Sequence, residues 1–230
     1  MPAAGSGRRF GGDIPKQYLF LGQARVIERA LAPFIADARC RGICVAVDAS
    51  DEVFSTLPLA GDPRVQTVAG GTRRCDSVRN ALAALPATDG EWVLVHDAAR
   101  PCLARADIDR LLVEAGQDAV GGLLAVPLAD TLKRAQADVS PAAKAARVAD
   151  TPPRTGLWRA LTPQMFRAGL LRDALRAAVK AGREPTDEAQ AIEWAGHAPQ
   201  LVSGDPGNLK ITTPADLRLA AAWLAGQNQA

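Results

Sequence analysis

The sequence is poor in the residue types that build metal centres and in long apolar runs. It has two histidines, His96 and His197, and four cysteines, with no Cys-x-x-Cys pair among them. A zinc site is therefore not expected, and we predict no metal-ligating residues; unpaired thiols are typical of a reducing compartment. No apolar run is long enough to span a bilayer, and no secretory leader pattern is visible. We expect a soluble, cytoplasmic protein that does not bind a membrane.

The sequence also lacks a strong net charge. Its 27 basic and 25 acidic residues give a formal net charge of +2. A nucleic-acid-binding protein usually carries a clear positive excess, so we expect no nucleic-acid partner and only local clusters of cations. A small anionic substrate suits this pattern better. With 230 residues, 48% of them hydrophobic, the chain can bury a substantial core, and we predict one domain over residues 1–230.

Segments with strand-like and helix-like patterns alternate along the chain. Strands are predicted at 43–47, 65–68, 91–95, 123–126, 200–202 and 209–211, and helices at 26–34, 77–85, 108–115, 170–179 and from Pro214 onwards. The apolar run at 91–95 favours burial on both faces, as in a parallel sheet. We therefore predict an α/β fold with a Rossmann-like, doubly wound, mostly parallel sheet, in which ligands collect at the carboxyl ends of the strands.

One long segment offers little to a core. Residues 127–157 are polar and alanine-rich, and they include Pro141, Pro152 and Pro153. A long irregular segment in a compact domain usually serves a function or is mobile. We predict that residues 127–157 form a protruding arm or hairpin that is stabilised by packing against something else.

A glycine-rich stretch with several cations occupies residues 2–18. Because Gly5 and Gly7 have no Cβ, the backbone there can approach a polyphosphate closely. The cations that follow are Arg8, Arg9 and Lys16. The dinucleotide-binding fingerprint would need glycine where Phe10 stands, and the P-loop pattern is absent. A solvated surface turn is the alternative for Gly-x-Gly alone, but its combination with Pro-Lys-Gln favours a phosphate-binding loop.

The position of this loop in the chain is unusual. A phosphate-binding loop normally follows a buried strand that directs it at the ligand. Here the loop starts at residue 2, so the first strand of the sheet is predicted to be missing. Either the sequence is truncated at its start, which we favour, or the sheet closes in another way.

Two further motifs follow predicted strands. Gly70 and Gly71 follow the strand predicted at 65–68, and a nucleotide base could stack against their backbone while Ser77 forms a hydrogen bond to the base. A simple glycine turn without a ligand is the alternative. Asp97 emerges from the strand at 91–95 and could hold a metal or accept hydrogen bonds from substrate hydroxyls. It could equally cap the next helix or pair with Arg100. His96 alone is more typical of a structural residue than of a catalyst.

Together these motifs resemble the family of 2-C-methyl-D-erythritol 4-phosphate cytidylyltransferases, nucleotidyltransferases of the non-mevalonate isoprenoid pathway. The resemblance is carried by Pro-Ala-Ala-Gly-x-Gly-x-Arg and Pro-Lys-Gln in the opening loop, Gly-Gly-x-x-Arg-x-x-Ser-Val from residue 70, and Val-His-Asp-Ala-Ala-Arg-Pro from residue 95. Shorter matches follow in the expected order, at both ends of the arm and at 162–164, 186–189 and 208–212. They span nearly the whole chain.

The resemblance implies an enzyme that joins CTP to the polyol phosphate and releases pyrophosphate, with Mg²⁺ as cofactor, and a homodimer formed through the arm. It implies that Arg9 and Lys16 are catalytic, stabilising the transition state. The substrate-binding residues that it implies are Ala3, Ala4, Gly5, Gly7, Gly71, Ser77, Asp97, Thr131, Arg154, Thr162, Thr186 and Lys210. Two alternatives stay open: a ribitol 5-phosphate cytidylyltransferase, and a non-catalytic CTP-binding protein.

Overall fold

Strands and helices alternate along the computed structural model, which describes residues 1–5, 10, 14–136 and 145–227. The strands are β1 (Phe20–Leu21), β2 (Ala24–Arg25), β3 (Ile43–Val47), β4 (Val65–Ala69), β5 (Trp92–Val95), β6 (Gly121–Pro127), β7 (Arg134–Ala135), β8 (Val148–Asp150), β9 (Trp158–Arg167) and β10 (Gln200–Ser203). The α-helices are α1 (Val26–Ile35), α2 (Arg74–Ala84), α3 (Arg105–Glu114), α4 (Ala168–Lys180), α5 (Glu188–Trp194) and α6 (Pro214–Gln227). In the part of the chain that the structure describes, no helix is both long and apolar enough to cross a bilayer.

The main sheet has the strand order β10-β6-β9-β5. Strands β10 and β6 are parallel, whereas β9 runs antiparallel to both of its neighbours, β6 and β5. The α/β fold class is confirmed, but the sheet is mixed rather than mostly parallel. For 91–95, the expected packing on both faces is confirmed, because Val93 and Val95 lie in one core while Trp92 and Leu94 pack against another. The expected parallel pairing is wrong, because β5 pairs antiparallel with β9.

The central strand β9 was not predicted from the sequence. It carries Pro163, and proline within a sheet is normally confined to edges and bulges because it cannot donate to the ladder. The pairing of β6 with β9 shifts register here: Leu123 lies opposite Gln164, but Ala125 lies opposite Ala160. The proline is thus accommodated at an irregularity, while the residues on either side continue the strand.

Helices cover both faces of this sheet. Successive residues of a strand point to opposite faces. Leu123 and Phe166 accordingly pack in a core with α2, α4 and α5, whereas Leu124 and Met165 pack in a second core with α3. Burial on both faces explains why β6 is apolar over five consecutive buried residues.

A separate parallel pair, β3 and β4, carries the start of the chain at its edge. Pro2 forms a parallel bridge with Ala46, whose N–H donates to the carbonyl of Met1 at 2.9 Å and whose carbonyl accepts from the N–H of Ala3 at 2.7 Å. Residues 1–3 therefore run alongside β3, in the direction that delivers the chain to the carboxyl ends of β3 and β4.

The described part of segment 127–157 pairs β7 with β8 in antiparallel fashion. The carboxylate of Asp150 accepts from Arg134 at 3.0 Å, and the hydroxyl of Thr151 accepts from Lys133 at 2.8 Å. None of the described residues of 128–157 is buried. These strands therefore add nothing to the core of their own chain.

The sequence patterns located most elements, with shifts at some ends. Helix α4 ends at Lys180, one residue beyond its predicted end, and is followed by Gly182, which has φ +66° and donates to the carbonyl of Val179 at 2.9 Å. Helix α2 begins at Arg74, three residues before the predicted start, and Cys75 of its first turn joins Val78 and Leu82 in the core. The strand predicted at 209–211 is wrong: the segment is irregular, held by the N–H of Ile211 donating to the carbonyl of Ala99.

Candidate active site

A cleft lies where the chain leaves β4 and β5. Its described lining comprises residues 2–5, 71–74 and 97–99 together with Lys16, Gln17, Ser77 and Lys210. The start of the chain, the glycine pair after β4 and the Asp97 motif after β5 are therefore brought together, as expected for segments that follow the carboxyl ends of strands.

The backbone of the opening segment is fixed from two sides. Gln17, itself buried, donates from Nε2 to the carbonyls of Ala3 at 2.8 Å and Gly5 at 3.4 Å. On the other side, a Cβ at Gly70 would lie 2.3 Å from the Cβ of Ala4. Glycine at position 70 is thus required for residues 2–5 to reach the end of β4.

Ser77 organises the glycine turn rather than projecting into open space. Its buried hydroxyl accepts from the N–H of Gly71 at 3.0 Å and donates to the carbonyl of Arg73 at 3.4 Å. A Cβ at Gly71 would lie 2.3 Å from the Cβ of Asp76. Because Gly71 has no side chain, this side of the cleft presents an edge of backbone, and a planar group could pack against it.

Two ammonium groups from opposite ends of the chain line the cleft. Lys16 Nζ donates to the carbonyl of Ile211 at 2.8 Å. Lys210 Nζ forms an ion pair with Asp97 Oδ2 at 2.8 Å. With Arg73 and Arg74 also in the lining, the cleft is suited to a polyanionic ligand.

Cations surround the carboxylate of Asp97. Its Oδ1 accepts from Arg74 Nε and Nη2 at 3.2 and 3.1 Å, and Arg100 Nε lies 3.6 Å from Oδ2, the oxygen that pairs with Lys210. Burial alone raises the pKa of this carboxyl, but Arg74, Lys210 and Arg100 outweigh it and hold the pKa below its usual range. The predicted alternative of pairing with Arg100 is confirmed, as one part of a larger cluster.

Arg74 extends this cluster to a second acid. Its Nη1 and Nη2 donate to the two carboxylate oxygens of Glu188 at 2.7 and 3.0 Å. Gln164 of β9 positions that glutamate, because it donates to the N-capping Asp187 at 2.9 Å and accepts from the N–H of Ala189 at 2.8 Å. Sequence reasoning missed the Arg74–Glu188 pair, although both residues lie inside motifs that it had singled out.

A buried network of hydrogen bonds holds the backbone of Asp97 in place. The Asp97 N–H donates to Thr162 Oγ1 at 3.1 Å, and the same hydroxyl lies 2.9 Å from His96 Nδ1. His96 Nε2 lies 3.1 Å from the carbonyl of Arg100, which can only accept. These partners assign the neutral tautomer with a proton on Nε2, so that Nδ1 accepts from Thr162. Thr162 is thus a support for Asp97 and is not exposed in the cleft.

His96 is expected to make folding stability sensitive to pH. Burial lowers its pKa from 6.5 to about 4. The unfolded chain therefore binds a proton at this histidine more readily than the folded chain does. The stability that the neutral His96 contributes to the fold is fully present above pH 6.5 and is lost as the pH falls towards 4. The loss amounts to about 3 kcal/mol at most. Urea unfolding across this pH range measures it.

His96→Gln, which cannot titrate, should abolish this part of the pH profile, while His197→Gln at an exposed histidine should retain it. A wild-type profile identical to that of His96→Gln would show that His96 makes no such contribution.

The family model described as IspD, 2-C-methyl-D-erythritol 4-phosphate cytidylyltransferase, matches residues 1–226. A Pseudomonas entomophila (strain L48) protein of that name is 50% identical over 227 residues, which are 97% of this chain and 92% of the relative. A Klebsiella pneumoniae protein of the same name is 48% identical over 224 residues, with the same coverage of 97% and 92%.

The chain belongs to this family.

Solved structures agree. The Francisella tularensis 2-C-methyl-D-erythritol 4-phosphate cytidylyltransferase shares 33% identity and a TM-score of 0.82, covering 96% of each chain. A crystal structure of a 4-diphosphocytidyl-2C-methyl-D-erythritol synthase shares 39% identity and a TM-score of 0.82, covering 97% of this chain and 95% of the other. The family and the nucleotidyltransferase class predicted from the sequence are therefore confirmed, and neither predicted alternative is favoured.

The structure brings most of the predicted IspD-family site residues together. Those in the cleft are Ala3, Ala4, Gly5, Lys16, Gly71, Ser77, Asp97 and Lys210. Gly7 and Arg9 lie outside the described residues. Thr162 is buried next to Asp97. Thr131, Arg154 and Thr186 are exposed and do not line the cleft of this chain.

Proposed function

We propose that this chain transfers the cytidylyl group of CTP to the phosphate of 2-C-methyl-D-erythritol 4-phosphate and releases pyrophosphate. An oxygen of the acceptor phosphate forms a bond to the α-phosphorus, and the bond from that phosphorus to the bridging oxygen of the β-phosphate breaks in line with it. The acceptor is already an anion, so no general base is needed, and catalysis consists of positioning and charge stabilisation. The observation that carries the proposal is one cleft that brings the opening segment, residues 2–5, together with Lys16 and Lys210.

The nucleotide is assigned to the side of the cleft formed by the opening segment. Backbone groups of residues 3–5, held by Gln17, lie where a triphosphate could bind, with Lys16 beside them. Arg9 is assigned the same charge-stabilising role from the family resemblance. The flat edge at Gly71, fixed by Ser77, is assigned to the cytosine ring.

The acceptor is assigned to the side formed by Lys210 and Asp97. Lys210 lies in the cleft and supplies a cation for the incoming phosphate. Thr131 and Arg154, which the family resemblance assigns to the same substrate, are exposed residues that precede β7 and follow β8, and they do not line this cleft. A homodimer in which each arm reaches the neighbouring cleft would reconcile these positions, and we include it in the proposal.

The described residues do not form a magnesium cage. Asp97 is the one carboxylate among the described cleft residues, and its oxygens already bind cations. A divalent cation at Asp97 would be repelled by the positive charges of Arg74, Lys210 and Arg100. In other phosphoryl-transfer sites Mg²⁺ keeps several waters and binds substrate phosphates together with one or two carboxylates, and such free carboxylates are not found among the described cleft residues. We therefore assign it to CTP as part of the substrate complex, and no protein residue is given the role of ligand.

We assign the reaction to the cytoplasm. The supporting observation is that Cys40, Cys44, Cys75 and Cys102 are all free thiols. Three of them are buried. Proteins of oxidising compartments commonly gain stability from disulfides, whereas free thiols are typical of a reducing compartment.

Steady-state pyrophosphate release with CTP and either polyol phosphate tests the proposed function. We expect turnover with 2-C-methyl-D-erythritol 4-phosphate and a much lower kcat/KM with ribitol 5-phosphate. The opposite preference would identify a ribitol 5-phosphate enzyme. Binding of CTP without pyrophosphate release in the presence of either acceptor would identify a non-catalytic protein. Both outcomes would refute the proposal.

A further inference from the structure

Glu188 is a completely buried carboxylate beside the cleft, yet it is not part of the cleft lining. It begins α5, and its described partner is Arg74, which does line the cleft. Burying an ion pair carries a desolvation penalty that apolar side chains of similar size would avoid. Stability alone therefore does not account for this pair, and its place next to the cleft points to another role.

The geometry of Arg74 connects Glu188 to the cleft. A guanidinium is planar and presents two edges, each able to bind a carboxylate. The Nη1/Nη2 edge binds Glu188, which leaves the Nε/Nη2 edge for Asp97 Oδ1. With Oδ1 held there, Oδ2 is directed at Lys210 Nζ, 2.8 Å away.

We propose that Glu188 is a positioning residue for Lys210, acting through Arg74 and Asp97. This inference rests on the proposed function, because Lys210 is assigned there to the acceptor phosphate. Glu188 fixes the plane of the Arg74 guanidinium, and the guanidinium fixes the Asp97 carboxylate. The carboxylate in turn determines the position of the Lys210 ammonium group before the acceptor phosphate binds. Glu188 itself touches no substrate.

The test is a double-mutant cycle between Glu188→Gln and Lys210→Ala. Glutamine keeps the shape of the side chain, but it is uncharged and turns an amide N–H₂ group towards Arg74. We expect Glu188→Gln alone to lower kcat/KM for the polyol phosphate by about 10²-fold, the loss typical of a small misplacement of a reacting partner. In the Lys210→Ala background the same substitution should have an effect of less than about threefold, because the residue that it positions is gone.

Two controls accompany the cycle. Glu193→Gln removes an exposed glutamate from the same helix and should keep wild-type kinetics. Arg74→Lys keeps a positive charge but lacks the planar guanidinium with two binding edges, so it should reproduce both the loss and the non-additivity if Glu188→Gln does not fold. An equal loss from Glu188→Gln in the wild-type and Lys210→Ala backgrounds would overturn the proposal, as would wild-type kinetics.

A structural measurement separates this inference from the proposed function. If the wild-type chain shows no turnover, the proposed function fails, and a crystal structure of Glu188→Gln still decides the positioning role. We expect the Lys210–Asp97 ion pair to be broken in that variant. An unchanged contact between Lys210 Nζ and Asp97 Oδ2 would overturn the inference whatever the enzyme does.

Discussion

Replacing Lys16 by alanine should lower turnover by about 10²-fold or more while the fold stays intact, because it removes a preorganised charge from the transition state. Lys16 follows the opening loop and lines the cleft, where its ammonium donates to the carbonyl of Ile211. That contact fixes the position of the ammonium group in the cleft. The side chain is only partly buried, so its loss leaves no cavity in the core.

The measurement is kcat for pyrophosphate release, with thermal unfolding recorded for each variant. Lys180→Ala is the matched control, since Lys180 is an exposed lysine at the end of α4 and outside the cleft. Arg9→Ala is expected to behave like Lys16→Ala. Near-normal turnover in both loop variants would contradict the assignment of the triphosphate to this side of the cleft.

Replacing Arg74 by alanine should destabilise the fold by about 3–5 kcal/mol at neutral pH. The substitution leaves Glu188 fully buried without its cation and removes one of the cations around Asp97. An uncompensated buried carboxylate must either remain charged at a high desolvation penalty or take up a proton, and both reduce stability. Urea unfolding of the purified chain measures the difference.

Arg79→Ala is the control for this prediction, because Arg79 lies on the same helix, is more exposed than Arg74 and pairs with Asp76 at 3.3 Å. Exposed pairs contribute little, so we expect a change of less than about 1 kcal/mol. Adding Glu188→Gln to Arg74→Ala should restore part of the lost stability, because it removes the unpaired charge. Equal losses in the free energy of unfolding for Arg74→Ala and Arg79→Ala would contradict the prediction, because they would show that the buried pair contributes no more to stability than the more exposed pair.

The sequence predicted the cleft better than it predicted the sheet. Ala3, Lys16, Gly71 and Asp97 were named because short motifs around them resemble those of a known family, and the structure places all four in the lining of one cleft. Strand β9 was missed because Pro163 and several polar residues interrupt its pattern, and only pairing with β6 and β5 on both sides makes it a strand. The antiparallel direction of β9 follows from that pairing and is not visible in the residues of β9 alone.

The ion pairs behind the cleft were also beyond a reading of the sequence. Arg74 and Glu188 are separated by 114 positions, and each has an ordinary local explanation, as a residue of a helix's first turn. Thr131 and Arg154 illustrate a different limit. The family resemblance assigns both to the substrate, but within one chain they are exposed and do not line the cleft.

The most direct test of the account is a crystal structure of the chain with CTP. We expect the triphosphate to lie against the backbone of residues 3–5 with Lys16 beside it, and the cytosine ring to lie on the edge formed by Gly71 and Ser77. A nucleotide bound outside this cleft, or one with its base at Lys210 and its phosphates at the glycine turn, would contradict the assignment of the whole site.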